Sequence, residues 1–191
     1  EKQRGITIDL GFAELELGVH RLGIVDVPGH ERFIRNMLAG ASGINLAMLV
    51  VAADDSVMPQ TREHLAILQL LGLKHGLIAL TKTDLAEPSW VDLVEDELRD
   101  MVKTTFLADA PIVRTSAVTR TGLETLKQAI GELCERIEAA EPGDLFRLAV
   151  DRSFVMHGRG AVVTGTVWSG QAGVGEELEW LPSGKRIKVR G

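Results

Sequence analysis

A mixed α/β domain on a mostly parallel sheet, followed by the opening strands of a β-barrel, is predicted by three observations. Short apolar runs at 46–53 and 77–80 alternate with helix-length amphipathic stretches. Beyond Glu141-Pro142-Gly143-Asp144 only strand-like pieces remain. The 191 residues give room for one ordinary domain and part of a second.

The elements follow from periodicity and turn chemistry. Residues 6–16 alternate apolar and polar side chains, the period of a half-buried strand. Leu22–Val27 is a second strand, joined to the first through Gly18 as an antiparallel hairpin. Gly29 breaks that strand, and Glu31–Leu38 reads as helical. Leu46–Ala53 is an unbroken apolar run, the pattern of a strand buried on both faces. Pro59 can start a helix and Gly72 can stop it, with Leu65, Leu68, Ala66 and Leu70 as its apolar face. Leu77–Leu80 is another buried strand. Ser89 is placed to cap a helix running to about Phe106. Ile112–Val113 is a short strand ending at Thr115. Thr121 and Glu124 have capping-box spacing before a helix bearing Leu126, Ile130, Leu133 and Ile137. The expected division is therefore 1–141, a linker at 142–145, and a partial barrel at 146–191. In that last part, strands at 146–154, 160–168, 177–181 and 187–189 are separated by turns at His157-Gly158, Ser169-Gly170 and Pro182-Ser183-Gly184.

Bulk composition excludes several classes. With 21 Lys+Arg against 27 Asp+Glu, the chain lacks the basic excess of a general nucleic-acid grip, although a local patch could still hold RNA. Cys134 is the only cysteine, so no internal disulfide forms and a reducing cytoplasm fits. The longest apolar run falls far short of the roughly 18 residues a membrane helix needs, and no membrane partner is expected. His20, His30, His64, His75 and His157 show no metal-ligand spacing, and no glycine fingerprint supports a dinucleotide enzyme.

Four motifs carry chemistry. Asp26-Val27-Pro28-Gly29-His30 ends a buried strand. There the Asp26 carboxylate can hold a magnesium ion through water, and Gly29, without a side chain, lets its N–H approach a terminal phosphate. His30 stands beside that phosphate and could orient an attacking water, although a tight turn with an incidental histidine has the same spelling. Thr81-Lys82-Thr83-Asp84 also follows a buried strand. A carboxylate at Asp84 can accept from both N1–H and the N2 amino group of guanine, and adenine, with an acceptor at N1, would be rejected. The Lys82 stem can lie along the base face, although a solvated charged loop is equally compatible. Thr115-Ser116-Ala117 could bring the Ala117 N–H to guanine O6. In Arg4-Gly5-Ile6-Thr7, the Thr7 hydroxyl is a candidate magnesium ligand or simply a strand threonine. All four are expected at strand or loop ends on one edge of the sheet, where open α/β sheets bind ligands.

In this order and wording the motifs resemble the translational GTPases of the Tu family, whose nucleotide domain has the P-loop-NTPase fold. The resemblance implies that RGIT is the end of switch I and DVPGH is switch II. TKTD would be the guanine motif, and TSA the last base-contact loop with Ser116 and Ala117. It implies GTP/GDP and Mg2+ as ligands, His30 as the residue that positions the hydrolytic water, and Ile6 as part of an apolar gate before it. The usual first residue of the guanine motif is Asn. Thr81 stands in its place and removes an amide that normally braces the site.

Residues 4–13, 36–72 and 146–178, with the Thr81-first guanine motif, are similar to the selenocysteine-specific branch of that family. The resemblance implies delivery of selenocysteinyl-tRNA to the ribosome by a cytoplasmic factor, monomeric when complete. It also implies an mRNA hairpin bound through C-terminal domains outside these 191 residues. A selenol is ionised at neutral pH, so a basic side chain could select it over a hydroxyl. Arg152 is the main candidate for that pocket, with His157 and Arg159 behind it; each could equally be a solvated strand or turn residue. An ordinary aminoacyl-tRNA factor and a non-catalytic GTPase relic remain the alternatives.

No G-x-x-x-x-G-K-[ST] occurs in the sequence. In the family that loop precedes switch I, and Glu1 directly before motif residues reads as a truncated start. By the topology that the resemblance implies, the missing strand is expected between those at 22–27 and 46–53, and the 191 residues alone are expected to bind nucleotide poorly.

Overall fold

The structure is a computed structural model that describes residues 11–27, 44–137, 145–158 and 160–191. The expected helix at 31–38 and the linker at 142–145 (all but its last residue) lie outside the described residues. The chain divides into two compact units, Glu1–Glu138 and Ala139–Gly191.

The first unit opens with β1 (Gly11–Leu17) and β2 (His20–Asp26), paired antiparallel with Leu17 opposite His20. The connection is the two residues Gly18-Val19, and Gly18 takes the left-handed φ of 59° that a tight hairpin requires. A three-stranded parallel sheet follows, in the order β3 (Ala47–Ala52), β4 (Gly76–Thr81), β5 (Ile112–Arg114). Its register sets Leu49 beside Ile78 and Val51 beside Leu80. The hairpin and the parallel sheet are separate, so β2 and β3, the strands flanking the expected missing one, do not pair with each other.

Among the described residues, three helices join and cover the strands. Helix α1 (Pro59–Leu70) links β3 to β4, α2 (Pro88–Val102) links β4 to β5, and α3 (Leu123–Arg136) follows β5. One face of the sheet (Leu49, Val51, Ile78, Leu80) packs against Val91, Val94, Leu98 and Val102 of α2 and Leu65 of α1. On the other face Leu77 meets Ile130 and Leu133 of α3, with Leu17 and Leu22 of the hairpin alongside. Full burial of such side chains contributes about 1.5–3 kcal/mol each, so β4, buried along nearly its whole length, anchors both cores.

Several local expectations are corrected. Strand β3 is buried on one face only: Met48 and Val50 are 43% and 55% exposed, because α3 packs on Leu77, one strand further in. On α1 the less exposed residues are Thr61, His64, Leu65, Ile67 and Leu68, whereas Ala66 and Leu70 are exposed. Its start is closed by Thr61, whose hydroxyl accepts from the Met58 N–H at 3.3 Å. Helix α2 is capped at Glu87 with Pro88 as its first residue, so Ser89 lies inside the first turn, and the helix ends at Val102, before Phe106. Proline fixes the helical φ and has no N–H to leave unpaired there, which makes a side-chain cap dispensable. Helix α3 starts from Gly122, and the Thr121–Glu124 capping box does not form. Thr121 meets Thr119 at 2.9 Å, and Glu124 accepts from Lys127 at 2.7 Å. Ile137 is the C-terminal cap of α3.

The second unit is all β among its described residues. Strands β6 (Arg147–Met156) and β7 (Gly160–Ser169) pair antiparallel, as do β8 (Glu177–Trp180) and β9 (Lys185–Lys188). The two pairs are separate sheets. β9 begins two residues before the predicted strand because Trp180 pairs with Lys185 across the 181–184 turn, where Gly184 takes a φ of 67°.

Leu98 has no exposed surface and packs in the main core of the first unit. Leu98→Ala should lower stability by about 2–5 kcal/mol in urea denaturation followed by circular dichroism.

Candidate functional site

The C-terminal ends of the parallel strands gather three loops: 53–57 after β3, 82–87 after β4 and 115–122 after β5. Parallel pairing forces this, since all three strands exit the sheet on the same edge.

Hydrogen bonds lock the loops to one another. The Ala53 N–H donates to the Thr81 carbonyl at 2.8 Å, and the Thr81 hydroxyl donates back to the Val51 carbonyl at 3.2 Å. The position where the sequence suggested a missing brace therefore carries one of its own: the short threonine ties β4 to β3. The Thr83 N–H and hydroxyl both donate to the Thr115 carbonyl, at 3.2 and 3.1 Å. Thr115 in turn donates its N–H to Leu80 at 2.7 Å. Thr115 and Ser116 are buried polar residues. Ser116 donates its N–H to the Thr121 carbonyl and accepts the Thr119 N–H at its hydroxyl oxygen, both at 3.0 Å. This turn leaves Ala117 exposed at its tip.

Lys82 has a left-handed φ of 55°, a conformation in which an L-residue is strained by about 1–3 kcal/mol. Its ammonium lies 3.0 Å from Asp54 and 3.7 Å from Asp55. The hydrogen bond to Asp54 raises its pKa above the ordinary lysine value, against a smaller opposing effect of burial. Asp84 is exposed, and no hydrogen bond or ion pair engages its carboxylate among the described residues. The loops thus offer an open carboxylate, a lysine stem and an exposed backbone turn, the set needed to read the edge and face of guanine.

The structure brings Thr81, Lys82, Asp84, Ser116 and Ala117 together through the Thr83–Thr115 bonds. Asp26, also exposed, ends β2 on the hairpin, and no hydrogen bond or ion pair joins it to these loops among the described residues. Ile6, Thr7, Gly29, His30 and Arg159 lie outside the described residues. In the second unit, Arg152 is half-buried in β6, immediately after a register irregularity between Val150 and Arg152, and pairs with Thr164. Bulges of this kind re-aim side chains. His157 is exposed at the β6–β7 turn. No cluster of three His, Cys, Asp or Glu suited to a metal occurs among the described residues.

Sequence reasoning missed Asp54, Asp55, Thr83, Trp90 and Gly122. The acidic pair could have been found, because it follows a strand end just as Thr81–Asp84 does. Trp90, whose indole N–H donates to the Ala53 carbonyl at 2.8 Å, and Gly122 depend on contacts no local pattern announces.

The Elongation factor Tu GTP binding domain family matches residues 1–136. The chain is 56% identical over 192 aligned residues to a selenocysteine-specific elongation factor of Desulfomicrobium baculatum, covering all of this chain and 30% of that protein. It thus spans about a third of the length of such a curated relative. Among solved structures, a bacterial selenocysteine-specific elongation factor EF-Sec superposes with a TM-score of 0.91 at 38% identity, over 99% of this chain and 33% of that one. The elongation factor SelB from Methanococcus maripaludis, in complex with the GTP analogue GppNHp, superposes with a TM-score of 0.88 at 33% identity, over 96% of this chain and 41% of that one.

Gly122 has a φ of 72°, and a Cβ there would overlap the Arg114 carbonyl oxygen. Gly122→Ala should cost about 1–3 kcal/mol or more in urea unfolding, by displacing the turn that carries Ser116 and Ala117 from the end of β5.

Proposed function

The chain belongs to the family of elongation factor Tu GTP-binding domains, and on that premise we propose that it reads guanine with Asp84, Lys82 and Ala117 within a GTP-hydrolysing factor that delivers selenocysteinyl-tRNA to the ribosome. The observation that carries the base-recognition reading is the open Asp84 carboxylate held beside the 115–117 turn by the paired Thr83–Thr115 bonds.

Each residue has a stated part. Asp84 accepts from guanine N1–H and the N2 amino group, the Ala117 N–H faces O6 from the turn that Ser116 shapes, and the Lys82 stem lies along the ring. Thr81 holds the loop to β3. Asp26 would hold magnesium through water, with Thr7 as a direct ligand. Its exposed carboxylate at a strand end fits that role, and the remaining ligands would be phosphate and water oxygens. Gly29 would sense the terminal phosphate, His30 would orient the attacking water, and Ile6 would close an apolar gate before it.

The parts of the chain follow this reading. Residues 1–141 serve as the GTPase domain and 146–191 as the opening of a β-barrel domain, with 142–145 as linker. Arg152, backed by His157 and Arg159, would face the ionised selenol of the aminoacyl group. Its half-buried place beside the β6 irregularity supports that choice over the exposed strand residues that follow it. The factor would act in the cytoplasm as a monomer, and an mRNA hairpin would bind through C-terminal domains beyond these residues.

Two experiments on the complete gene product test the reading. Asp84→Asn should weaken GDP binding roughly 100-fold and improve xanthine nucleotide binding, since xanthine carries an acceptor where guanine carries its amino group. Unchanged guanine selectivity would remove Asp84 from the site. Separately, the GTP-loaded protein should protect selenocysteinyl-tRNA from deacylation far better than seryl- or cysteinyl-tRNA, and Arg152→Ala should erase most of that preference. Equal protection of all three in the unsubstituted protein would instead indicate an ordinary aminoacyl-tRNA factor.

A further inference from the structure

Lys82 does not hold its position alone. Its ammonium reaches across from the β4 loop to Asp54, 28 residues earlier in the chain, at 3.0 Å, with Asp55 at 3.7 Å as a second partner. Asp54 is the better shielded of the two acids, its side chain 30% exposed against 66% for Asp55.

The turn that presents these acids is fixed from several sides. The Ala53 N–H donates to Thr81 and the Ala53 carbonyl accepts from the Trp90 indole, both at 2.8 Å. The N–H groups of Asp55 and Ser56 both donate to the Ala52 carbonyl, at 3.2 and 3.0 Å. The Ser56 hydroxyl donates to Glu97 of α2 at 2.9 Å. Helix α2 and the β3–β4 ladder therefore set where Asp54 stands before any side chain of the base-recognition loop is considered.

A lysine stem is flexible, and an unheld one loses rotamer freedom whenever it must lie flat against a ring. An ammonium tied to a fixed carboxylate has given up much of that freedom already. We propose that Asp54 is a positioning residue for purine recognition: by holding the Lys82 ammonium at the tip of β3, it fixes the lysine stem as a platform for the base. The proposal rests on the guanine-site reading above. Asp54 touches no nucleotide in this scheme and acts only through Lys82. Its removal should therefore weaken affinity and leave base selectivity, which Asp84 sets, unchanged.

The test is a double-mutant cycle in the complete gene product, using a fluorescent GDP analogue in stopped flow. Asp54→Asn should speed nucleotide release about threefold, the scale of an exposed ion pair lost. Asp54→Glu should recover part of that loss. In a Lys82→Met background, Asp54→Asn should add nothing, and the preference for guanine over hypoxanthine should be the same in all variants that retain Asp84. If Asp54→Asn releases nucleotide at the original rate while Lys82→Met accelerates it, the proposal fails and the base site stands. Equal acceleration by Asp54→Asn with and without Lys82 would mean that Asp54 supports only its own turn, and the proposal also fails. If neither Lys82→Met nor Asp84→Asn alters binding, the guanine-site reading falls, and the role of Asp54 falls with it.

Discussion

The parallel ladder of β3, β4 and β5 is the constraint on which the rest depends. Parallel strands exit a sheet on one edge, so three loops far apart in sequence arrive side by side without further instruction. Direction alone would leave those loops loose. Threonines at the strand ends provide the locking. Thr81 ties β4 to β3, and Thr83 ties the β4 loop to Thr115 with two donors on one carbonyl. A threonine suits this task because its short side chain reaches a neighbouring backbone carbonyl while its branched Cβ favours extended backbone.

Helix α2 is the second support. Its apolar stripe, Val91, Val94, Leu98 and Val102, fills the core under the sheet. Its polar flank grips the loops on either side. Trp90 and Glu97 hold the turn after β3, while Glu95 and Asp92 hold Arg114 at 2.7 and 2.8 Å beyond the middle strand. These ion pairs are partly exposed and individually worth little, about 0–1 kcal/mol. Their use is geometric: together they fix the end of β5 next to the candidate base-contact loop. One helix thereby couples the packing of the core to the placement of the site.

How legible this was in the sequence depends on how local the signal is. The buried run at 77–80 and the turns at Gly18 and Gly184 could be read directly, because apolar continuity and left-handed turn residues are properties of a few adjacent positions. Lys82, Asp84 and Ala117 could be named as candidates because donor and acceptor arithmetic for guanine needs only residue types. Capping residues do not announce the helix starts near Ser89 and Thr121, because Pro88 and Gly122 start those helices without a side-chain cap. The inward face of α1 excludes the apolar Ala66 and Leu70, since hydrophobicity does not say which side of a helix the sheet will occupy.

The sequence by itself determined the alternation of strands and helices, the change to β structure after α3, and the residue types that can read a guanine edge. These follow from side-chain period and chemistry, which each short stretch carries within itself. Only the tertiary structure decided that Thr81 braces its own loop, that Gly122 must lack a Cβ, and that Asp54 stands over Lys82. Each of those depends on two segments meeting that are separated by 8 to 30 residues, as Arg114 and Gly122, Asp54 and Lys82, and Val51 and Thr81 are. The register of the parallel ladder sets the meetings of β3 with β4, and the closure of the turn after β5 sets that of Gly122 with Arg114; neither is written in residue type alone.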